Sequence, residues 1–290
     1  MSTADAPKYC YRHPDRETGL SCAVCDRPIC WECVTHAPVG LRCPEHSGKP
    51  QGFQKIVQPA RQAVTGVGGR RMNAVTMALI GINVAVYLAE LAAGGTISGQ
   101  GNWIYEHGAL FTNRIYADGT PAGVDHGDWW RLVTAAFLHY GPLHLAMNMY
   151  GLYFAGSLLE HVIGRWRFAL LYFAAGIAGS AGALYVSPNA ITVGASGAIF
   201  GVFGGLLVLE RRGNIATGGQ VLGLIILNLV FTFAVPGISV GGHIGGLIAG
   251  VVLMLLMLQF RRSAAVSLAS GVAVIVVAVL VAYSKTRGYH

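Results

Sequence analysis

From residue 76 onward the chain is a succession of apolar runs, at roughly 76–93, 143–163, 166–187, 196–209, 220–235, 243–260 and 264–283, parted by short polar breaks. A run of about 20 apolar residues is what an α-helix needs to cross a bilayer, where backbone N–H and C=O groups find no water and must pair internally. The expected fold is therefore an all-α polytopic membrane protein, its membrane domain occupying 76–290. Hydrophobic residues make up 53% of the chain and charged residues 11%, the balance of an integral membrane protein with a small soluble part. The net charge of +7 raises nucleic acid as a partner, but the basic residues are scattered beside apolar runs instead of forming one stripe. The lipid bilayer is the expected partner, and no nucleic acid is.

The arginines select an orientation. With the N-terminus inside, Arg165, Arg167, Arg211, Arg212, Arg261 and Arg262 fall on the cytoplasmic side together with Lys49, Lys55, Arg61, Arg70 and Arg71. Only Arg114, Arg131, Lys285 and Arg287 fall outside. The excess of cytoplasmic Lys and Arg predicts a multi-pass protein of the cell membrane with a cytoplasmic N-terminus and an extracytoplasmic C-terminus. No basic-start, apolar-core signal peptide is visible at Met1, which agrees with an N-terminus that is not exported.

Residues 1–48 contain all six cysteines, arranged with two histidines as Cys10-x2-His13, Cys22-x2-Cys25, Cys30-x2-Cys33 and Cys43-x2-His46. An x2 knuckle lets two side chains reach one ion, so eight soft ligands fit two tetrahedral Zn2+ sites. A disulfide framework is the alternative, and it requires an oxidising compartment. His36 could replace a member of the set, His46 first. So short a stretch buries little apolar surface, so metal would supply its folding energy, and fully used ligands leave no open position for chemistry. The module is expected to be structural or a docking platform. The Gly-, Pro- and Gln-containing stretch 49–75 with its five cations reads as a basic linker.

Within the membrane domain the sequence Val193-Gly-Ala-Ser-Gly-Ala-Ile-Phe200 opens the fourth run, which Glu210-Arg211-Arg212 closes. A helix from Ser196 to Leu209 rises only about 21 Å against a hydrocarbon core of about 30 Å. With Arg211 and Arg212 at one surface, Ser196 then starts a helix well below the other, beside unpaired N–H groups that suit a developing negative charge. The competing explanation is that Gly194, Ala195, Ser196 and Gly197 are small residues for close helix packing. His243 begins the sixth run at a matching depth. Gly197, Gly201 and Gly205 on one helix and Gly242, Gly246 and Gly250 on the other clear two faces that can approach closely enough for a Ser196–His243 hydrogen bond, which would make the hydroxyl a nucleophile. In the second run, His144 and Asn148 share a face at i and i+4, either as functional groups in an interior cavity or as interhelical bond donors. Glu160 is expected to cap neighbouring backbone N–H groups.

The long connection 94–131 is rich in aromatics, as in a loop lying in the headgroup region, and interfacial anchoring alone would account for Trp130-Arg131. His107, His126, His139, His161 and His290 are read as solvated or interfacial.

Taken together, Trp130-Arg131, His144-x3-Asn148, Gly194-Ala195-Ser196-Gly197 and His243 with its glycines resemble the rhomboid intramembrane serine proteases, in the family's motif order and across about residues 76–283. The resemblance implies a six-helix core plus one C-terminal helix and a Ser196–His243 dyad lacking an acid. It also implies an oxyanion hole from His144, Asn148 and the Ser196 N–H, a Trp130-Arg131 loop lying in the membrane, and single-span membrane proteins as substrates. Where many members carry tyrosine four residues after the serine, stacked on the histidine, this chain has Phe200. The order of the N-terminal pairs resembles B-box zinc fingers, which implies that Cys10, His13, Cys30 and Cys33 hold one ion and Cys22, Cys25, Cys43 and His46 the other. A cytoplasmic protein is the candidate partner of that module. Two other classes stay open: a catalytically inactive rhomboid-like protein that binds membrane clients, and a channel or transporter, which the lack of internal repeats and deep acidic residues disfavours.

Overall fold

The computed structural model describes residues 7–36, 40–47, 73–215, 217–260 and 263–286. The His36 side chain, the linker residues 49–72, and Arg261, Arg262 and Arg287 lie outside that description. The chain divides into two units, Met1–Arg70 and Arg71–His290.

The small unit is a pair of two-stranded ribbons and one helical turn. β1 (Tyr9–Cys10) pairs antiparallel with β2 (His13–Glu17), which sets Cys10 opposite His13. β3 (Thr35–His36) pairs with β4 (Leu41–Arg42), and α1 (Pro44–Ser47) follows. Its buried centre is Cys10, Cys22, Cys30, Cys33 and Cys43 with Ile29 and Val34. Sulfur atoms supply most of that interior, which is what a fold too small for an apolar core needs from its ligands.

In the large unit the apolar runs become α2 (Ala74–Ala92), α5 and α6 (Pro142–Gly151 and Ser157–Ile163), α7 (Arg165–Val186), α8 (Ser196–Arg211), α9 (Gln220–Ala234), α10 (Val240–Gln259) and α11 (Ala264–Thr286). The connection after α2 carries α3 (Trp103–Gly108), the hairpin of β5 (Arg114–Ile115) and β6 (Pro121–Ala122), and α4 (Arg131–Thr134). Among the described residues, α2, α7, α10 and α11 are long and apolar enough to cross a membrane. The second run is not one regular helix, because a π-helical segment, Leu152–Gly156, joins α5 to α6. α8 has 16 residues and α9 has 15, about 24 and 22 Å of helix. Large apolar side chains such as Leu88, Leu143, Leu227, Phe233, Val277 and Leu280 stand exposed, as lipid-facing helices require.

Glycines set how closely the central helices approach. A Cβ on Gly246 would lie 1.9 Å from the Gly197 carbonyl oxygen, and one on Gly250 would lie 2.0 Å from that of Gly201. Only hydrogen fits, so α8 and α10 touch backbone to backbone. Gly205 instead faces the side chains of Leu159, Leu171 and Met254. A third helix joins the contact, since Gly241 on α10 meets the Gly182 carbonyl of α7 at 2.1 Å from its would-be Cβ. Around this seam Leu152, Leu159, Phe168, Leu171, Leu209, Leu253 and Met254 form the apolar core.

Two charged residues are consumed in building the fold. Glu160 on α6 accepts from the N–H groups of Val75 (3.1 Å) and Thr76 (2.8 Å) and from the Thr76 hydroxyl (2.7 Å). It thereby caps the start of α2, whose own flanking Asn73 makes no side-chain cap. Arg131 was expected as an outward charge, but it is 1% exposed. Its guanidinium donates to the carbonyls of Glu106 and Ala109 (2.8 Å each), to the Tyr116 hydroxyl (2.9 Å) and to Asp128 (2.8 Å). The face of Phe111 packs over it, 4.2 Å from ring centre to guanidinium carbon. A planar fork of five donors is well suited to gathering the carbonyls of an irregular loop.

Candidate active site

The clamped loop reaches the serine through main chain. Leu110, next to the Arg131-bound Ala109, bridges Thr192 in both directions (3.1 and 2.8 Å), and the Gly194 N–H donates to the Ala135 carbonyl at 2.8 Å. Residues 192–195 are thus held before α8 begins at Ser196. The Ile199 N–H bonds the Ala195 carbonyl at 3.0 Å, so the N–H groups of Ser196, Gly197 and Ala198 precede the helical ladder.

Against this helix start lies His243, placed by the glycine seam in the first turn of α10. Its Nε2 is 2.8 Å from the Ser196 Oγ. Its Nδ1 is 2.7 Å from the Thr232 Oγ1 of α9, and that hydroxyl in turn lies 2.7 Å from the Asn228 carbonyl oxygen. Phe200, one turn beyond Ser196, stacks on the imidazole with ring centres 4.1 Å apart and planes inclined by 14°. Both ring nitrogens and one ring face are engaged. Sequence reasoning did not single out Thr232. The available signal was Asn228-x3-Thr232, a polar pair on one face of an apolar run.

His144 and Asn148 both lie on α5, and the His144 ring reaches the same loop. The Tyr140 N–H, a donor only, lies 3.1 Å from the His144 Nδ1, so Nδ1 accepts and the neutral ring carries its proton on Nε2. That edge faces Gly194: a Cβ there would be 2.8 Å from the His144 Nε2, and the backbone φ of +123° also favours glycine. Asn148 is buried, and its amide donates to the His144 carbonyl at 2.9 Å. The Ser196–His243 pair thus stands beside the N–H donors of a helix start, with the His144 ring against the preceding Gly194. Such a constellation can activate a hydroxyl and hold a negative charge.

His139, expected to be solvated or interfacial, is fully buried, with its ring centre 5.2 Å from that of His144. The turn at Tyr140 and Gly141 that starts α5 carries it inward. His107 stacks on Trp103 (4.5 Å between ring centres), and its carbonyl accepts from the Trp130 indole at 3.0 Å.

In the small unit the ligand atoms of Cys10, His13, Cys30 and Cys33 lie within 4.8 Å of one another, as do those of Cys22, Cys25, Cys43 and His46. The His13 Nδ1 is 3.3 Å from the sulfurs of both Cys30 and Cys33, and Cys25 and Cys43 have sulfurs 3.7 Å apart. A tetrahedral ion with bonds of about 2.3 Å to sulfur has ligand–ligand edges of about 3.8 Å. A disulfide needs about 2.05 Å, and all six cysteines are unbridged. Burial opposes the Cys10 and Cys22 thiolates, yet neighbouring backbone N–H groups, those of Cys30 and Cys43 first, bring each down to about 6. Burial, reinforced by side-chain partners, pushes Cys33 up to about 12 and Cys43 up to about 11.

Residues 126–260 match the Rhomboid domain family. The chain is 43% identical over 149 residues to the rhomboid protease GluP of Bacillus subtilis, covering 49% of this chain and 29% of GluP. It is 33% identical over 126 residues to the inactive RHOMBOID-like protein 8 of Arabidopsis thaliana, covering 41% of this chain and 36% of that protein. YdcA of Bacillus subtilis, provisionally named a rhomboid protease, is matched along 75% of its length at 37% identity. A likeness of that extent to YdcA, with the family match running through α5 to α10 where the serine, the histidines and the glycine seam lie, makes the chain a member of the rhomboid family.

Proposed function

We propose that the protein is a rhomboid-type serine endopeptidase that hydrolyses peptide bonds in or near transmembrane segments of single-span membrane proteins. The observation that carries this reading is the 2.8 Å contact between the Ser196 Oγ and the His243 Nε2 at a helix start. Ser196 attacks the substrate carbonyl carbon while its proton passes to Nε2. The tetrahedral oxyanion is held by the Ser196 N–H, the His144 Nε2–H and the Asn148 amide. Collapse breaks the C–N bond, and His243 returns the proton to the leaving amine. Water then attacks the Ser196 ester with the same base, releasing the acid product and restoring the hydroxyl.

The small unit is assigned two Zn2+ ions, one on Cys10, His13, Cys30 and Cys33 and one on Cys22, Cys25, Cys43 and His46, in a B-box-like arrangement. Bound zinc would supply folding energy there, and four protein ligands per ion leave no position for substrate. Domain limits of 1–48, 49–75 and 76–290 complete the reading, together with a cytoplasmic N-terminus and an extracytoplasmic C-terminus that the arginine distribution supports. A cytoplasmic protein is the partner class assigned to the module.

The inactive relative keeps a second reading in view, a client-binding protein without chemistry. Proteoliposomes holding the full chain and a single-span test protein separate the two. The protease reading expects cleavage by wild type, none by Ser196→Ala, and labelling of Ser196 by a fluorophosphonate. Intact substrate and an unlabelled serine in a folded wild type would leave the client-binding reading.

A further inference from the structure

His243 needs an acceptor at Nδ1 to serve as a base at Nε2, and no carboxylate is required to supply it. Thr232 is 2% exposed and His243 7%, so neither group exchanges its partner for bulk water. The Thr232 hydroxyl has one proton and two contacts, the Asn228 carbonyl at 2.7 Å and the His243 Nδ1 at 2.7 Å. A carbonyl only accepts, so both contacts are satisfied in one way: Thr232 donates to Asn228, and Nδ1–H donates to Thr232. The imidazole proton is then on Nδ1, and the Nε2 lone pair is free for the Ser196 proton.

We infer that Thr232 is a positioning residue that selects the base-competent tautomer of His243 and orients the ring toward Ser196. The inference rests on the protease reading and extends it to a side chain on a helix that carries no other member of the site. The same bond persists when His243 is protonated, because Nδ1–H is a donor in both states, so Thr232 serves the proton-accepting and proton-returning steps alike. Thr232 also lies in the last turn of α9, which ends at Ala234. The negative end of that helix dipole faces the charge that forms on the ring. A threonine and a helix end thereby take the place of the acid in a Ser-His-Asp triad. The accepting Asn228 carbonyl is main chain one turn back on the same helix, so α9 itself fixes the hydroxyl's direction.

The test uses full-length protein in proteoliposomes with wild type, Thr232→Val, Thr232→Ser and Ser196→Ala. Valine keeps the shape and removes the acceptor. We expect Thr232→Val to lower kcat about tenfold at unchanged KM and to slow fluorophosphonate labelling of Ser196 by a similar factor. The unfolding temperature should stay within about 2 °C, and Thr232→Ser should recover most of the rate. In 15N-histidine-labelled wild type, the signal lost in His243→Ala should show the proton on Nδ1. Wild-type kcat and labelling rate in Thr232→Val, or a wild-type proton on Nε2, would overturn the inference. If Thr232→Val does not fold, the tautomer measurement decides alone. If wild-type cleavage proves independent of Ser196, the protease reading fails, and the tautomer result still judges the Thr232 contact.

Discussion

Replacing Gly246 with alanine should separate α8 from α10 where the site depends on their contact. The new methyl carbon would start 1.9 Å from the Gly197 carbonyl oxygen, and an unstrained C···O contact needs about 3.2 Å, so the backbones must part by about 1.3 Å along that line. Gly246 is one turn beyond His243 on α10, and Gly197 adjoins Ser196 on α8, so the displacement acts directly on the 2.8 Å contact between Ser196 and His243. Stretched to about 4 Å, that contact is no longer a hydrogen bond. A misplacement of about 1 Å at reacting groups is worth roughly a hundredfold in rate, and overpacking adds about 1–3 kcal/mol of destabilisation. Gly81 on α2 is the control, with nothing within 4 Å of its would-be Cβ. Gly81→Ala should match wild type in rate and gain up to about 1 kcal/mol from helix propensity. The assay is cleavage of a single-span substrate in proteoliposomes, paired with thermal unfolding in detergent. Wild-type rate and unfolding temperature in Gly246→Ala would refute the claim that backbone contact at this seam holds the pair together.

Ser196→Ala and His243→Ala should each abolish cleavage, and the double variant should be no slower, because nucleophile and base act as one unit; additive losses would break that assignment. His144→Ala or Asn148→Ala should cost about 2.7–4 kcal/mol of transition-state stabilisation, roughly a hundred- to a thousandfold in kcat, with little change in KM. An Asn148→Ala enzyme with wild-type kcat and a lowered unfolding temperature would make the pair structural. Glu160→Ala should lower stability by about 1–3 kcal/mol through the two uncapped N–H groups of α2, while kcat below the unfolding range is retained, as thermal unfolding and cleavage assays would check. Chelator treatment should release two zinc ions per chain and unfold the small unit while cleavage by purified protein persists; loss of all activity in a folded deletion of 1–48 would overturn the separation of metal from chemistry.

The seven helical segments were readable in the sequence because lipid leaves the backbone one local solution. Membrane helices pair their own N–H and C=O groups, so an apolar run and its polar breaks determine an element without reference to its neighbours. The cysteine and histidine pairs were equally legible, since an x2 spacing brings two ligands together within a few residues. Ser196, His144, Asn148 and His243 stood out as polar groups in apolar runs, and the glycine rhythm of the fourth and sixth runs named the helices that would meet. What the sequence could not carry were partners set by long-range packing. Glu160 was expected to cap N–H groups, but only the tertiary structure places those groups on α2, more than eighty residues earlier. Arg131 looks like an outer charge until the carbonyls it gathers are in place around it. His139 looks interfacial until the turn before α5 carries it inward. Thr232 is one mildly polar residue in an apolar run, and its meaning comes from a direction: the packing of α9 against α10 aims its hydroxyl at one nitrogen of His243. Hydropathy and spacing are local properties that a chain declares by itself, whereas the path of a proton depends on angles between helices that only the packed molecule decides.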